Sequence, residues 1–208
     1  RWLAYRGPPI NLSTLVLYPE NSIINQSRDA QFLPGLTYEN QAITDKRNNR
    51  VNADGFGVAW YTKGRKNACL YKSTQPSWGD SNLLELADHV ESPTIFAHVR
   101  AASMGVASVQ NCHPFKWKSF TFMHNGGISE FLKIKRRIQN LMEDEFFESL
   151  QGSTDSENIF YLFLSVLKRN LYDTKSRVKT VNMIQIEEAT ALEIAQALSD
   201  TIQKIVEL

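Results

Sequence analysis

The sequence has little that would staple it, span a membrane or bind a polyanion. Only 2 of its 208 residues are cysteine. Cys69 and Cys112 cannot build the disulfide framework of a small secreted domain, so a reducing compartment is the simpler setting and a cytoplasmic location is expected. No apolar run of about 18 residues occurs, so no transmembrane helix is expected. The opening, RWLAYRGPPI, is too short and too polar for a signal peptide. Neither charge sign dominates: 23 Lys and Arg face 22 Asp and Glu, a formal net charge of +1. Such a balance gives no global pull toward nucleic acid or membrane. The four histidines, His89, His98, His113 and His124, lack the C-x-x-C or H-x-x-x-H spacing of a zinc site, so neither a metal nor a cofactor is expected. There is no internal repeat and no low-complexity linker.

What remains is a chain long enough to bury roughly 70% of its unfolded surface. It is read as a single domain over 1–208. Residues 2–5 read as a strand that the Gly-Pro-Pro at 7–9 breaks. A short helix follows from Asn11. Residues 37–54 are polar and read as a loop. GFGVAWYT, 55–62, and NACLYKST, 67–74, read as a hairpin. NLLELADHV, 82–90, has helical spacing. In TIFAHVRAAS, 94–103, alternation puts Phe96, His98 and Arg100 on one face and Ile95, Ala97 and Val99 on the other. SFTFMH, 119–124, is another strand. Residues 129–150 read as one helix with Phe131, Ile134, Ile138, Leu141 and Met142 along one side. Thr154 and Glu157 have capping-box spacing, with Asp155 in the first turn of the helix they open. Leu192, Ala195, Leu198, Ile202 and Ile205 mark a last amphipathic helix. Strands followed by helices indicate an α+β fold with antiparallel sheet.

Three places could carry chemistry. The strand of FMHNGGISEF, 122–131, ends in His-Asn-Gly-Gly, which is either a plain turn or a set of donors for an oxygen bearing negative charge. Cys112 beside His113 suggests a thiol–imidazole pair, but neighbours in an extended segment point to opposite faces. His124 is the other possible partner, and a buried structural Cys is the simpler alternative. Arg100 ends a strand before Ala101, Ala102 and Ser103, where a guanidinium fork suits a carboxylate. Asp155, at a helix start, could hold an ammonium group. Together they would recognise an amino-acid head group, with Asn125 and Gly126 stabilising an oxyanion. Structural uses, an ion pair for Arg100 and a helix cap for Asp155, stand equally open. The KIKRR run, 133–137, reads as a solvated helix face.

NADGFGVAWY, FAHVRAAS, NCHPF, FMHNGGISEF and GSTDSE occur in the order found in class II glutamine amidotransferases, and over residues 1–165 the chain resembles that family of N-terminal-nucleophile hydrolases. SIINQS, and MHNGGISEF followed by IKRR, resemble the branch that supplies the amidotransferase-like subunit of a fungal cytosolic glutathione-degradation complex. The resemblance implies an αββα four-layer sandwich, two antiparallel sheets between helices. It implies that Arg100 binds the substrate α-carboxylate with Ser103 assisting, that Asp155 holds the α-amino group, and that Asn125 and the Gly126 N–H form the oxyanion hole. Gly55 and Gly57 would pack close to the nucleophile.

In this family the nucleophile is a Cys directly before R-x-L. Here RWL opens the sequence, so the Cys is expected immediately before Arg1 and is absent from the 208 residues. Further strands are likewise expected after the last helix. The activity implied is hydrolysis of a γ-glutamyl amide, glutathione giving glutamate and Cys-Gly, with a metallopeptidase-like partner subunit. The alternatives are glutamine hydrolysis supplying ammonia to a synthase, and an inactive binding subunit.

Overall fold

A computed structural model describes residues 1–29, 51–101, 107–176 and 185–208. The chain divides into two compact units, Arg1–Asn125 and Gly126–Leu208.

The first unit is built on a four-stranded antiparallel sheet. Its strands are β1 (Trp2–Asn11), β2 (Phe56–Trp60), β3 (Cys69–Ser73) and β4 (Glu91–Val99), in the order β1-β4-β2-β3. The expected hairpin is present, Val58 pairing with Tyr71. One face of the sheet carries Val58, Ile95, Ala97 and Val99. They are buried with Leu12 and Val16 of α1 (Leu12–Val16), Ile23 and Ile24 of α2 (Ile23–Arg28), and Leu83 and Ala87 of α3 (Ser81–His89). Each large apolar side chain buried here contributes roughly 1.5–3 kcal/mol.

β1 is longer than its sequence predicts. The strand does not stop at Gly7-Pro8-Pro9 but runs to Asn11, with a register shift between Arg6 and Ile10. β1 is an edge strand, where prolines lacking an N–H are tolerated. β4 also begins earlier than expected and pairs with β1 from Glu91 onward.

A two-stranded ribbon lies on the other face of the sheet: β5 (Phe115–Trp117) paired with β6 (Phe120–Phe122). Tyr61 donates to the Ser119 carbonyl at 2.8 Å, Lys72 to the Cys112 carbonyl at 2.9 Å and Lys116 to the Ala68 carbonyl at 3.2 Å. A Cβ on Gly57 would come within 2.2 Å of the His113 carbonyl oxygen, so the layers meet where the strand has no side chain. The first unit is thus helix, sheet and ribbon.

The second unit is helical: α4 (Phe131–Asn140), α5 (Asp144–Phe147), α6 (Asp155–Ser176) and α7 (Ala191–Val206). All three other helices pack on α6. The helix expected over 129–150 is broken after Asn140. Glu143 is extended and donates its N–H to the Ser165 hydroxyl at 3.0 Å, while Arg169 caps the Leu141 carbonyl. In α7 the buried residues are Ala197 and Thr201. Leu192 and Ile202, expected on the apolar face, are 80% and 61% exposed. Among the described residues, no helix is long and apolar enough to cross a membrane.

Candidate active site

His98 lies in β4, opposite Trp2 of β1 and Gly57 of β2. It is buried, and its Nε2 sits 2.9 Å from Oδ1 of Asn125. Its ring stacks on that of His113 at 4.2 Å, and His113 meets Phe115 edge-on at 4.6 Å. The structure gives His98 the side chain of Asn125, one of the proposed oxyanion donors.

The electrostatics keep both rings neutral. Burial above all, with the Arg100 charge adding to it, pushes His98 from 6.5 down to about 3, against hydrogen bonds to Asn125 and the His124 backbone that raise it. Burial, then His98, His124, Arg100 and Lys72, push His113 down to about 2. Cationic groups therefore gather around the end of β4, a setting that suits a carboxylate ligand.

Arg100 follows β4 directly and is buried. Its N–H donates to the Gly55 carbonyl at 2.8 Å, and its carbonyl accepts from Asp54 at 3.2 Å, so the β2–β4 pairing continues through it. Gly55 has φ +102°, and a Cβ there would lie 2.5 Å from the Cys112 sulfur. Only glycine fits that close approach. Cys112 is fully buried, and its thiol points to the carbonyls of Ser73 and Ser108 at 3.5 and 3.4 Å. Burial raises its pKa, against Lys72 and Arg100. With His113 stacked on His98, adjacent Cys112 and His113 do not make a nucleophile pair, as the alternation argument anticipates. Ser103 lies outside the described residues.

Gly126, Gly127 and Asp155 belong to the second unit. Gly126 has φ +150°, which side-chain-bearing residues rarely adopt. Asp155 is buried, and both its oxygens are engaged: Oδ2 accepts the Ile128 N–H at 2.8 Å and Oδ1 the Ser156 N–H at 2.7 Å. It ties the glycine turn to the first turn of α6. The capping box is half formed. Thr154 Oγ1 accepts from Glu157 at 3.2 Å, but the Glu157 carboxylate accepts instead from Gln151 at 3.0 Å and Gly152 at 2.7 Å.

The start of β1 is fully paired. The Arg1 nitrogen donates to Val99 at 2.8 Å, and Val99 N–H to the Arg1 carbonyl at 2.9 Å. The Arg1 guanidinium reaches Gln26 Oε1 at 2.7 Å. Trp2 thus faces His98 and Arg1 faces Val99.

A family model for class II glutamine amidotransferases matches residues 31–199, and the chain belongs to that family. The probable glutamine amidotransferase DUG3 of Saccharomyces cerevisiae is 44% identical over 182 residues, 85% of this chain and 48% of that protein. The γ-glutamyl-hercynylcysteine sulfoxide hydrolase of Mycolicibacterium smegmatis is 28% identical over 127 residues, 61% of this chain and 48% of that one. The chain spans about half the length of these curated relatives. A solved class II glutamine aminotransferase domain protein from Silicibacter pomeroyi matches with a TM-score of 0.55 at 30% identity, over 85% of this chain and 60% of that one. The expected α+β fold with two antiparallel sheets is thus matched by a solved structure of the same class.

Proposed function

We propose that the protein hydrolyses a γ-glutamyl amide, with a Cys immediately before Arg1 as nucleophile and glutathione as substrate. The observation that supports this reading is the pairing of β1 with β4 up to Arg1, because a further residue continuing that strand would fall opposite Arg100. The Mycolicibacterium relative, by its name a γ-glutamyl hydrolase, supports the bond class.

Arg100 takes the α-carboxylate by a two-point fork, Ser103 assists it, and Asp155 takes the α-ammonium. The thiolate attacks the γ-carbonyl carbon. The carbonyl electrons move to oxygen, where the Asn125 amide and the Gly126 N–H stabilise the tetrahedral oxyanion. The nucleophile's own α-amine accepts the thiol proton and delivers it to the leaving amine as the C–N bond breaks. A free α-amine has an ordinary pKa of about 7.7–8.0, which suits both roles. Water then hydrolyses the thioester, releasing glutamate and restoring the thiol. The protein is proposed to work in the cytoplasm beside a metallopeptidase-like subunit that takes the Cys-Gly product.

Glutamine is the second reading, favoured by the similarity to DUG3, by name a glutamine amidotransferase. The two separate in a glutamate-release assay of the full-length protein. Release from glutathione well above that from glutamine supports the first, and the reverse order overturns it.

A further inference from the structure

We propose that His98 is a positioning residue: by donating its Nε2–H to Oδ1 of Asn125, it turns the Asn125 Nδ2–H2 outward as the oxyanion donor. The proposal rests on the reading of Asn125 as an oxyanion donor. The two ends of a side-chain amide have nearly the same shape but opposite polarity. Reversed, Asn125 would present a carbonyl lone pair to the oxyanion and repel it. Whatever fixes the amide therefore decides whether the site has one side-chain donor or none.

The contact that fixes it is at 2.9 Å, between two groups of the first unit. A neutral imidazole protonated on Nε2 can only donate there, and only Oδ1 can accept. The Nδ1 tautomer would accept instead and reverse the amide. Nδ1 makes no hydrogen bond among the described residues, so the polar contacts that bear on the tautomer are those to Asn125 and the His124 backbone. The ring itself is held by its surroundings. It stacks on His113 at 4.2 Å, and its neighbour across the pairing is Gly57, which has no side chain to displace it. The charged and titratable groups around the two rings are Arg100, Lys72 and His124, all cationic or able to become so. They disfavour a second proton on His98, so the ring keeps its single-donor form through the neutral range.

The test uses the full-length protein with its nucleophilic Cys and measures steady-state glutamate release. Asn125→Ala should lower kcat by about 10²–10³-fold, the loss typical of one oxyanion donor. His98→Phe keeps a ring but no donor and should lower kcat by about 10-fold or more, with KM little changed, because the lost interaction is made only in the transition state. His98→Gln carries an N–H near the Nε2 position and should recover most of that loss. In the Asn125→Ala background His98→Phe should cost nothing further, since the two act as one unit. If Asn125→Ala leaves kcat intact, the oxyanion reading itself fails. If Asn125→Ala is slow but His98→Phe is not, if the two losses multiply, or if Gln fares no better than Phe, the positioning role alone fails. A readout that needs no variant to fold is the ¹⁵N spectrum of labelled histidine in the unsubstituted 208-residue chain. His98 should show the Nε2–H tautomer from about pH 6 to 8. An Nδ1–H tautomer or an imidazolium in that range would overturn the proposal.

Discussion

Asp155 accepts the backbone N–H of Ile128 at 2.8 Å and that of Ser156 at 2.7 Å, so one buried carboxylate joins the glycine turn to the start of α6. Hydrogen bonds to a charged acceptor contribute about 1.5–3 kcal/mol each, and the negative charge also suits a helix N-terminus. Asp155→Asn keeps one acceptor oxygen and loses the charge. It should lower the unfolding free energy by about 1–3 kcal/mol in urea titration of the 208-residue chain. An unchanged midpoint would show that the carboxylate is not structural. Its proposed second role is separable: if it holds the substrate ammonium, the variant should lose the wild type's preference for γ-glutamyl over glutaryl amides, which lack the α-amine.

His98 and His113 give the first unit an acid sensitivity of defined sign. Both are held neutral in the fold, at about 3 and about 2. Unfolded histidine titrates near ~6.5, so below that pH the unfolded chain binds more protons than the folded one. The stabilisation is complete above about pH 6.5 and is lost as pH falls toward the folded values, by up to ~1.4 kcal/mol per pH unit for each ring. Denaturation midpoints should therefore fall between pH 7.5 and 5, and His113→Phe should flatten that slope. A midpoint constant over this range would contradict the neutral pair.

Gly57→Ala should be among the most damaging single-methyl changes in the chain. The added carbon would meet the His113 backbone oxygen at 2.2 Å, and backbone cannot swing aside as a flexible side chain can. Overpacking of a close contact costs about 1–3 kcal/mol, and here the ribbon must move with it. Gly64→Ala is the comparison: a Cβ there meets nothing within 4 Å, though its φ of +79° carries its own strain. Equal thermal stability of the two variants would rule out the close packing of sheet and ribbon.

The residues that made the fold legible are those with regular spacing. Alternation along 94–99 separates core-facing Ile95, Ala97 and Val99 from His98, and the structure buries the first three against the helices. The ribbon was half hidden because β5 is a three-residue strand after a cis His113–Pro114 bond, too short for alternation to register. The break after Asn140 was invisible because it is made by Ser165 and Arg169, tertiary partners from α6. Trp2, though apolar, is 54% exposed, because its position opposite His98 turns it away from the helix-side core where Leu3 packs. Motif order alone is what proposes Arg100, Asn125 and Gly126 as site residues. The His98 contact could not, because nothing in local spacing links a mid-strand histidine to an asparagine 27 residues on.

Arg100→Lys should separate charge from geometry. Lysine keeps the charge but loses the planar fork that matches a carboxylate. Losing a charge-assisted bond of about 1.5–3 kcal/mol corresponds to roughly a 10–150-fold rise in KM for a γ-glutamyl substrate. The fold should survive, since the Arg100 backbone pairing with Gly55 and Asp54 does not involve the side chain. Unchanged kinetics in the full-length enzyme would remove Arg100 from the carboxylate role.

The start of β1 carries the most demanding prediction. Arg1 and Val99 exchange both backbone hydrogen bonds, so the strand arrives at its first residue already ordered. A Cys placed before Arg1 then continues the ladder opposite Arg100. A nucleophile must stand about 3–3.5 Å from the carbonyl carbon it attacks, and an ordered strand end supplies that without further ordering cost. In the proposed mechanism the free amine matters as much as the thiol, because it is the base. With Cys directly before Arg1, glutamate release from glutathione should appear in the presence of the proposed metallopeptidase-like subunit. With one Ala added ahead of that Cys, the amine becomes an amide with no basicity and release should be lost. Cys112 cannot take over, since its thiol is buried against the carbonyls of Ser73 and Ser108. Equal activity of the two forms would end the N-terminal-nucleophile mechanism. Activity lost in the blocked form, with the thiol still open to a small alkylating reagent, would assign the loss to the missing base.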